Sequence, residues 1–156
     1  MKRKVLAAIA GGVAAGFLSG IPIVGWFWFF WAVLGGLLAT FLFYRKVGAS
    51  IQITDGLIVG GLAGLVAGIV NILEVLGFAA VGALISVLTQ PGSSDDKLGA
   101  FGVAIMLSMF SVVFNIVWSV LILIFSTLAG LVLALILNST NKPAEPAPLG
   151  VPGNFQ

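Results

Sequence analysis

The feature that most constrains this chain is a series of long apolar segments that are almost free of charged residues. Only 8% of the 156 residues are charged, whereas 60% are hydrophobic. A soluble domain carries about 25% charged residues, so this chain has too little polar surface to cover itself in water. The sequence therefore predicts an all-α membrane protein whose apolar segments are surrounded by the lipid bilayer.

Four segments are long enough to cross a bilayer, because a transmembrane helix needs about 20 apolar residues. The predicted helices cover residues 5–23, 24–44, 57–89 and 100–137. Together they form one domain, 1–137, which we expect to be a four-helix bundle. From residue 138 the chain is rich in Asn, Pro, Ala and Gly and has no apolar periodicity. This composition predicts a disordered tail over residues 138–156.

Lysine and arginine residues predict the orientation, because cytoplasmic loops carry an excess of them. Six cationic residues fall on one predicted side of the membrane: Lys2, Arg3, Lys4, Arg45, Lys46 and Lys142. Only Lys97 falls on the other side, in the loop 91–97. We therefore expect both ends of the chain, and the tail, to be cytoplasmic.

The third and fourth segments are longer than one crossing requires, since about 33 residues make about 50 Å of helix. Either both helices project beyond the outer surface, or each one breaks at a glycine. Gly77 and Gly82 are the candidate break points in the third segment, and Gly99 and Gly102 in the fourth. In the second case, residues 81–110 form an apolar cap or a re-entrant pair of short helices.

Glycines recur at every fourth position in the first and third segments. The predicted packing glycines are Gly12, Gly16, Gly20, Gly60, Gly64 and Gly68. Such a row leaves a smooth groove on a helix, and close approach of backbones stabilises helix pairs in lipid. We interpret the rows as packing faces within the chain. The alternative is that they pack between the subunits of a homo-oligomer around a pore.

Similar glycine motifs suggest that the chain consists of two related helical hairpins in parallel orientation. Residues 10–14 (Ala-Gly-Gly-Val-Ala) are similar to residues 59–63 (Val-Gly-Gly-Leu-Ala). Likewise, residues 34–37 (Leu-Gly-Gly-Leu) are similar to residues 128–131 (Leu-Ala-Gly-Leu). Parallel repeats of this kind occur in transporters.

Glu74 is the one charged residue within an apolar segment, and Asn71 shares its helix face. If the last two segments form an antiparallel hairpin, Glu74 falls level with Asn115, and Ser111 shares the face of Asn115. A carboxylate in lipid is costly and should find polar partners inside the protein. This polar site is either a proton- or cation-binding site or a structural clamp that holds the hairpin together.

Asp55 directly precedes the third predicted segment. An acidic side chain there accepts hydrogen bonds from free backbone N–H groups and complements the helix dipole. We therefore expect Asp55 to have a structural role.

At the other end of the bundle, Trp26, Trp28 and Trp31 lie where an aromatic belt would meet the membrane surface.

The residue inventory argues against catalysis and cofactor binding. The chain has no Cys and no His, which removes the usual ligands of zinc, haem and iron–sulfur clusters and the usual general base near neutral pH. It has no pair of carboxylates suited to acid–base chemistry, and we expect neither enzymatic activity nor a cofactor. No cationic run suits nucleic acid. The expected partners are lipid, other membrane proteins or further copies of the chain.

The first 70 residues resemble a group of small, glycine-rich, four-helix membrane proteins of bacteria and archaea. The resemblance rests on the Gly12/Gly16 row, Ile21-Pro22-Ile23, Gly35-Gly36, Tyr44-Arg45, Thr54-Asp55-Gly56 and Gly60-Gly61-Leu62-Ala63-Gly64. In that group the turn after Ile-Pro often carries cysteines, whereas here it carries Trp and Phe. The resemblance implies a prokaryotic inner or cell membrane location, and the departure argues against a metal or redox role.

Two functional hypotheses follow from these features. The first is a non-enzymatic subunit, scaffold or assembly factor that acts through glycine-mediated helix packing. The second is a small channel or transporter whose path includes the polar site around Glu74. An intramembrane enzyme is the weakest interpretation, because the reactive groups that it needs are absent from the sequence.

Overall fold

The regular structure of the chain is entirely helical over the residues that the computed structural model describes, 1–21, 24–47, 51–89 and 91–140. The α-helices are α1 (Lys2–Gly20), α2 (Trp28–Val47), α3 (Ile53–Thr89) and α4 (Ser94–Thr140). A 3-10 helix, Val24–Phe27, leads into α2. The predicted all-α class with four long helices is confirmed.

Three of these helices, α2, α3 and α4, are long and apolar enough to cross a membrane. α1 begins with three cationic residues, which shorten its apolar stretch. Large hydrophobic side chains lie exposed on all four helices; Phe17 is 61% exposed and Leu88 is 71% exposed. In a soluble protein the exposed face of a helix is polar. The apolar exterior seen here is the kind of surface that lipid covers.

The helices form two antiparallel hairpins, α1–α2 and α3–α4, that pack side by side. α1 runs parallel to α3, because Lys4 pairs with Asp55 at one end and Gly20 meets Glu74 at the other. α2 runs parallel to α4, because the Trp28 ring lies 4.4 Å from the Trp118 ring and, further along both helices, Gly130 lies against Thr40. Parallel packing of the hairpins brings their first helices into contact, and likewise their second helices.

Small side chains fill the centre of the bundle. The most deeply buried hydrophobic residues are mainly alanines: Ala7, Ala8, Ala39, Ala63, Ala67 and Ala134. Small residues allow the backbones of neighbouring helices to approach closely, so more atoms make dispersion contacts. The bundle is therefore held together mainly by close backbone packing rather than by large interlocking side chains.

The two hairpins differ greatly in length. α1 and α2 contain 19 and 20 residues, whereas α3 and α4 contain 37 and 47. α1 ends level with Glu74, and the 15 residues of α3 beyond that level add about 22 Å of helix. We call residues 75–89 and 91–113 the outer hairpin. It extends past the ends of α1 and α2, with only its own two arms packed together.

Both long helices run without a break, so the predicted break points and the re-entrant pair are wrong. A Cβ atom added at Gly77, Gly82, Gly99 or Gly102 would have nothing within 4 Å, so none of these glycines marks a tight approach. An apolar surrounding favours continuous helix, because every backbone N–H and C=O is then satisfied within the segment. Of the two alternatives, only the one with unbroken helices agrees with the structure.

Helix boundaries differ from the predicted ones where polar caps extend the apolar segments. α4 begins at Ser94 rather than residue 100, because the carboxylate of Asp96 accepts hydrogen bonds from the backbone N–H and the hydroxyl of Ser93. α3 begins at Ile53 rather than residue 57, since the Asp55 carboxylate accepts a hydrogen bond from the Gln52 N–H. Both caps satisfy backbone groups that precede the first full turn.

The ends of the other helices also move. α1 covers Lys2–Gly20 instead of 5–23, and α2 covers Trp28–Val47 instead of 24–44. α4 continues through residues 138–140, which were predicted to begin the tail, and the hydroxyl of Ser139 donates to the Ile136 carbonyl oxygen. The rest of the predicted tail, residues 141–156, lies outside the described residues.

Candidate functional site

The predicted glycines of α1 lie against α3. A Cβ atom added at Gly12 would lie 2.5 Å from the Ala63 carbonyl oxygen, and one at Gly16 would lie 2.7 Å from the Val70 Cβ. Gly20 leaves room for the Glu74 carboxyl group. At Gly12 and Gly16 a larger residue would push the two helices apart, whereas at Gly20 it would displace the end of the Glu74 side chain.

The predicted glycines of α3 lie against α4. An added Cβ would lie 2.7 Å from the Ser126 carbonyl oxygen at Gly60, 2.7 Å from the Leu123 Cα at Gly64, and 3.1 Å from the Ser119 Cβ at Gly68. The glycine faces of both helices are therefore covered by other helices of the same chain. Subunits could use these faces only if the bundle opened.

Three helices meet at a polar crossing that the sequence analysis did not single out. The buried Ser126 hydroxyl of α4 donates a hydrogen bond of 2.9 Å to the Gly60 carbonyl oxygen of α3. Gly36 of α2 lies against the Ser126 backbone, and a Cβ added at Gly130 would lie 3.0 Å from the Thr40 Oγ1. The sequence analysis named Gly36 and Gly130 as parts of glycine motifs and not as a crossing. A comparison of which small residues lie at the same height along the bundle axis would have found it.

The predicted polar site divides into two parts. Asn71, which is 4% exposed, and Glu74 both lie against the end of α1. The Asn71 side-chain amide donates to the Ser19 hydroxyl at 3.4 Å, and the Ser19 hydroxyl donates to the Gly16 carbonyl oxygen at 2.7 Å. The Glu74 Oε2 is buried beside Gly20 and has no hydrogen-bond partner among the described residues.

The α4 residues of the predicted site satisfy their polar groups along their own helix. The Asn115 amide donates to the Ser111 carbonyl oxygen at 2.9 Å, and the Ser111 hydroxyl donates to the Leu107 carbonyl oxygen at 3.0 Å. Over the described part of the chain, no hydrogen bond joins Glu74 to Asn115. The structure therefore does not bring the two predicted halves of the site together.

Glu74 and Asn115 do not meet because Glu74 lies on the face of α3 that packs against α1. The register between α3 and α4 is not the cause. Gly68 lies against Ser119, within two residues of the register that would place Glu74 level with Asn115. However, Glu74 continues the row Ala63, Ala67 and Val70, which faces α1. The residue spacings of four, three and four keep these side chains on one side of the helix.

The opposite end of the bundle holds an ion pair. The Lys4 ammonium group pairs with the Asp55 carboxylate and ties the beginning of α1 to that of α3. The Arg3 guanidinium donates to the Lys46 carbonyl oxygen at the end of α2, at 3.3 Å. These contacts fix three helix ends at one level, and the ion pair is a role of Asp55 beyond the one expected at the start of α3.

A large cavity lies between the arms of the outer hairpin. It is an open cleft of about 1110 Å³, with apolar side chains such as Leu76, Val87 and Phe101 along its walls. Ser94 and Lys97 line the end next to the α3–α4 turn. Sequence reasoning did not predict this cleft, because the apolar pattern of each arm does not show how far apart the arms stand.

A further feature of the described residues is the spacing of their acidic side chains. No three acidic side chains lie close enough together there to hold a metal ion. Trp28 packs against Trp118 and Phe125, while Trp26 is 85% exposed, so the aromatic residues divide between packing and a surface position.

Comparison with protein-family models, curated proteins and solved structures found no match to this chain.

Proposed function

We propose that this chain is a multi-pass protein of the prokaryotic inner or cell membrane, in which all four helices cross the bilayer. Both ends are cytoplasmic, as the positions of Lys and Arg favour. The ion pair of Lys4 with Asp55 and the contact of Arg3 with the end of α2 support this orientation, because they gather the cationic ends of three helices at one level. The acidic residues Asp95 and Asp96 lie at the far end of the outer hairpin.

The two hairpins are related repeats in this proposal. Gly11 and Gly60 are equivalent in the similar motifs, and each packs against the second helix of its own hairpin. A Cβ added at Gly11 would lie 2.6 Å from the Gly35 carbonyl oxygen, and one added at Gly60 would lie 3.0 Å from the Gly130 Cα. In the same alignment Gly35 corresponds to Ala129, the residue before Gly130, so the two contacts agree to within one residue. Such agreement is what a duplication followed by lengthening of the second hairpin would leave.

The function that we propose is non-enzymatic: the protein acts as a membrane subunit, scaffold or assembly factor. The observation that carries this proposal is the contrast between the two regions of the molecule. The bundle uses its glycine faces internally, whereas the outer hairpin exposes large apolar side chains such as Phe78, Met106 and Phe110, at 61%, 75% and 73%. Because this hairpin extends past the ends of α1 and α2, lipid does not cover it in this proposal, and an apolar surface left outside lipid marks an interaction site.

The test is native mass spectrometry of the protein extracted in mild detergent from its own host. The proposal predicts a reproducible complex with another membrane protein, which substitutions in the outer hairpin such as Phe110→Ser disrupt. Phe17→Ser, on an exposed face of α1, is the matched control and leaves the complex intact. A chain that is always alone, under extraction conditions that keep other membrane complexes together, contradicts the proposal.

A small channel or transporter is the second candidate. It is favoured by the buried Glu74 carboxyl oxygen, which has no hydrogen-bond partner among the residues that the structure describes. A polar group in such a place is functional in many membrane proteins. Asn71 and Ser19 lie beside it and offer an amide and a hydroxyl to a passing ion. This candidate predicts ion or proton flux in liposomes that Glu74→Gln abolishes. Flux that Glu74→Gln leaves unchanged removes Glu74 from the mechanism.

A further inference from the structure

The last turn of α1 has main-chain carbonyl oxygens that the helix itself cannot satisfy. The final four C=O groups of an α-helix have no N–H partner within the helix. Leu18 is a clear case, because Pro22, four residues further on, has no N–H to donate. Proline also cannot take the left-handed conformation that commonly closes a helix end, and the Ile21 backbone is extended. Among the described residues, no main-chain N–H from outside the helices donates to the carbonyl oxygens of residues 17–20.

The carboxyl group of Glu74 lies against this end of α1. A Cβ atom added at Gly20, the last residue of α1, would overlap the Glu74 Oε2, so this oxygen touches the main chain of α1. The Oε2 atom is buried and has no hydrogen-bond partner among the described residues. A buried carboxylate oxygen that stays unpaired is costly, so this group needs a proton or a cation. The Glu74 side chain as a whole is partly exposed, which leaves a way in for an ion.

Both components of this site are negative, and no cationic side chain of the described chain lies near them. The C-terminal end of an α-helix carries about half a negative charge. The last turn of α1 contains no Lys or Arg. The described Lys and Arg residues lie at the opposite end of the bundle, apart from Lys97 near the far end of the outer hairpin. Neither α1 nor α4 has a titratable side chain at the level of Glu74, so the compensating positive charge must come from solution.

The oxygen atoms gathered here favour a monovalent metal cation. Carboxylate and carbonyl oxygens are the ligands that hard cations prefer, and the C-terminal ends of helices coordinate Na⁺ in transporters. A single proton would pair the carboxyl group with one oxygen only, whereas a cation is bound by several. One carboxylate balances one positive charge, and no three acidic side chains lie together among the described residues, which argues against a divalent ion.

We propose that the Glu74 carboxylate and the carbonyl oxygens at the end of α1 bind an alkali-metal cation such as Na⁺. The bound cation neutralises the repulsion between the carboxylate and the end of the helix, and it ties the end of α1 to α3. The inference rests on the polar site of the channel or transporter candidate and names the ion of that site, but it requires binding alone and not transport.

The first test measures the denaturation temperature of the detergent-extracted full chain, by loss of helix, in NaCl, KCl and choline chloride of equal ionic strength. A ligand that binds only the folded chain stabilises it, so Na⁺ or K⁺ should raise the denaturation temperature above its value in choline. Glu74→Gln keeps the size of the side chain, removes its charge and should lose the whole rise. Asp95→Asn, which removes an exposed carboxylate of the outer hairpin, is the control and should keep it. Equal denaturation temperatures of the parent chain in all three salts, or the same rise in Glu74→Gln, overturn the proposal.

The second test separates a metal cation from a proton as the occupant of the site. Protonation of Glu74 competes with the cation, so the rise caused by Na⁺ or K⁺ should shrink as the pH falls. If a proton is the occupant, the denaturation temperature falls as the pH rises, to the same extent in all three salts, and this result overturns the proposal.

Flux in liposomes, measured separately, distinguishes this inference from the proposed transport function. A rise with Na⁺ or K⁺ that is lost in Glu74→Gln, without any flux, supports the inference and counts against the channel or transporter candidate. Flux that requires Glu74, without any rise in the denaturation temperature, overturns the inference and supports that candidate.

Discussion

Replacement of Gly60 by alanine tests whether close backbone contact holds α3 against α4. The added Cβ would lie 2.7 Å from the Ser126 carbonyl oxygen and 3.0 Å from the Gly130 Cα. Both neighbours are backbone atoms, so no side-chain rotation relieves the contact. The helices must separate by several tenths of an ångström, and the hydrogen bond from the Ser126 hydroxyl to the Gly60 carbonyl oxygen lengthens with them.

The adjacent glycine provides a matched control. At Gly61 the nearest atom to an added Cβ is the Thr127 Oγ1 at 3.4 Å, which is ordinary van der Waals contact. Alanine raises helix propensity by about 1 kcal/mol over glycine at either position. Overpacking costs about 1–3 kcal/mol and applies to Gly60→Ala alone. The unfolding free energies of the two variants should therefore differ by about 1–3 kcal/mol, with Gly61→Ala the more stable.

The assay is reversible unfolding in mixed detergent micelles, followed by tryptophan fluorescence and by loss of helix. Trp28 and Trp118 report on the packing of α2 against α4, because their rings lie 4.4 Å apart. Gly77→Ala, in open space on the outer hairpin, should also be no less stable than the parent chain. If Gly60→Ala and Gly61→Ala unfold at the same denaturant concentration, the account of glycine packing is refuted.

Three further predictions concern individual contacts. Ser126→Ala should lower the unfolding free energy by about 0.6–1.7 kcal/mol, the range for hydrogen bonds between membrane helices, and the same unfolding assay measures it. A double-mutant cycle of Lys4→Gln and Asp55→Asn should give a coupling free energy of about 0.2–1 kcal/mol, which high salt removes. A coupling free energy that does not change with salt contradicts an ion pair near the surface. Trp28→Leu should cost about 0.5–1.5 kcal/mol beyond its lost area through loss of the Trp118 contact, and should shift the Trp118 emission; an unchanged spectrum contradicts contact between the two rings.

The sequence predicted the helices and which glycines lie at contacts between them, because both depend on local patterns. Apolar length fixed where helices form, and the rows through Gly12 and Gly60 fall at contacts between helices in the structure. The antiparallel register of α3 and α4 followed from the position of their turn, and Gly68 does lie beside Ser119.

The sequence could not predict which face of α3 meets which neighbour. α3 is apolar or small on every side, so periodicity does not distinguish the face toward α1 from the face toward α4. Glu74 was assigned to α4 because polar residues were available there, whereas the space left by Gly20 admits it against α1. The cleft was missed for a related reason, since the separation of two apolar arms depends on their crossing angle rather than on their composition.

The measurement that tests the central claim most directly is the accessibility of single introduced cysteines. The chain has no natural cysteine that would have to be replaced first. Four single substitutions each place one thiol near a helix end. They are Trp26→Cys before α2, Gln52→Cys before α3, Ser94→Cys at the start of α4 and Ser139→Cys at its end. Four crossings with both ends inside predict that a membrane-impermeant maleimide labels positions 26 and 94 in intact cells, and positions 52 and 139 only after permeabilisation. Labelling of positions 52 and 94 from the same side would contradict the proposed crossing of α3.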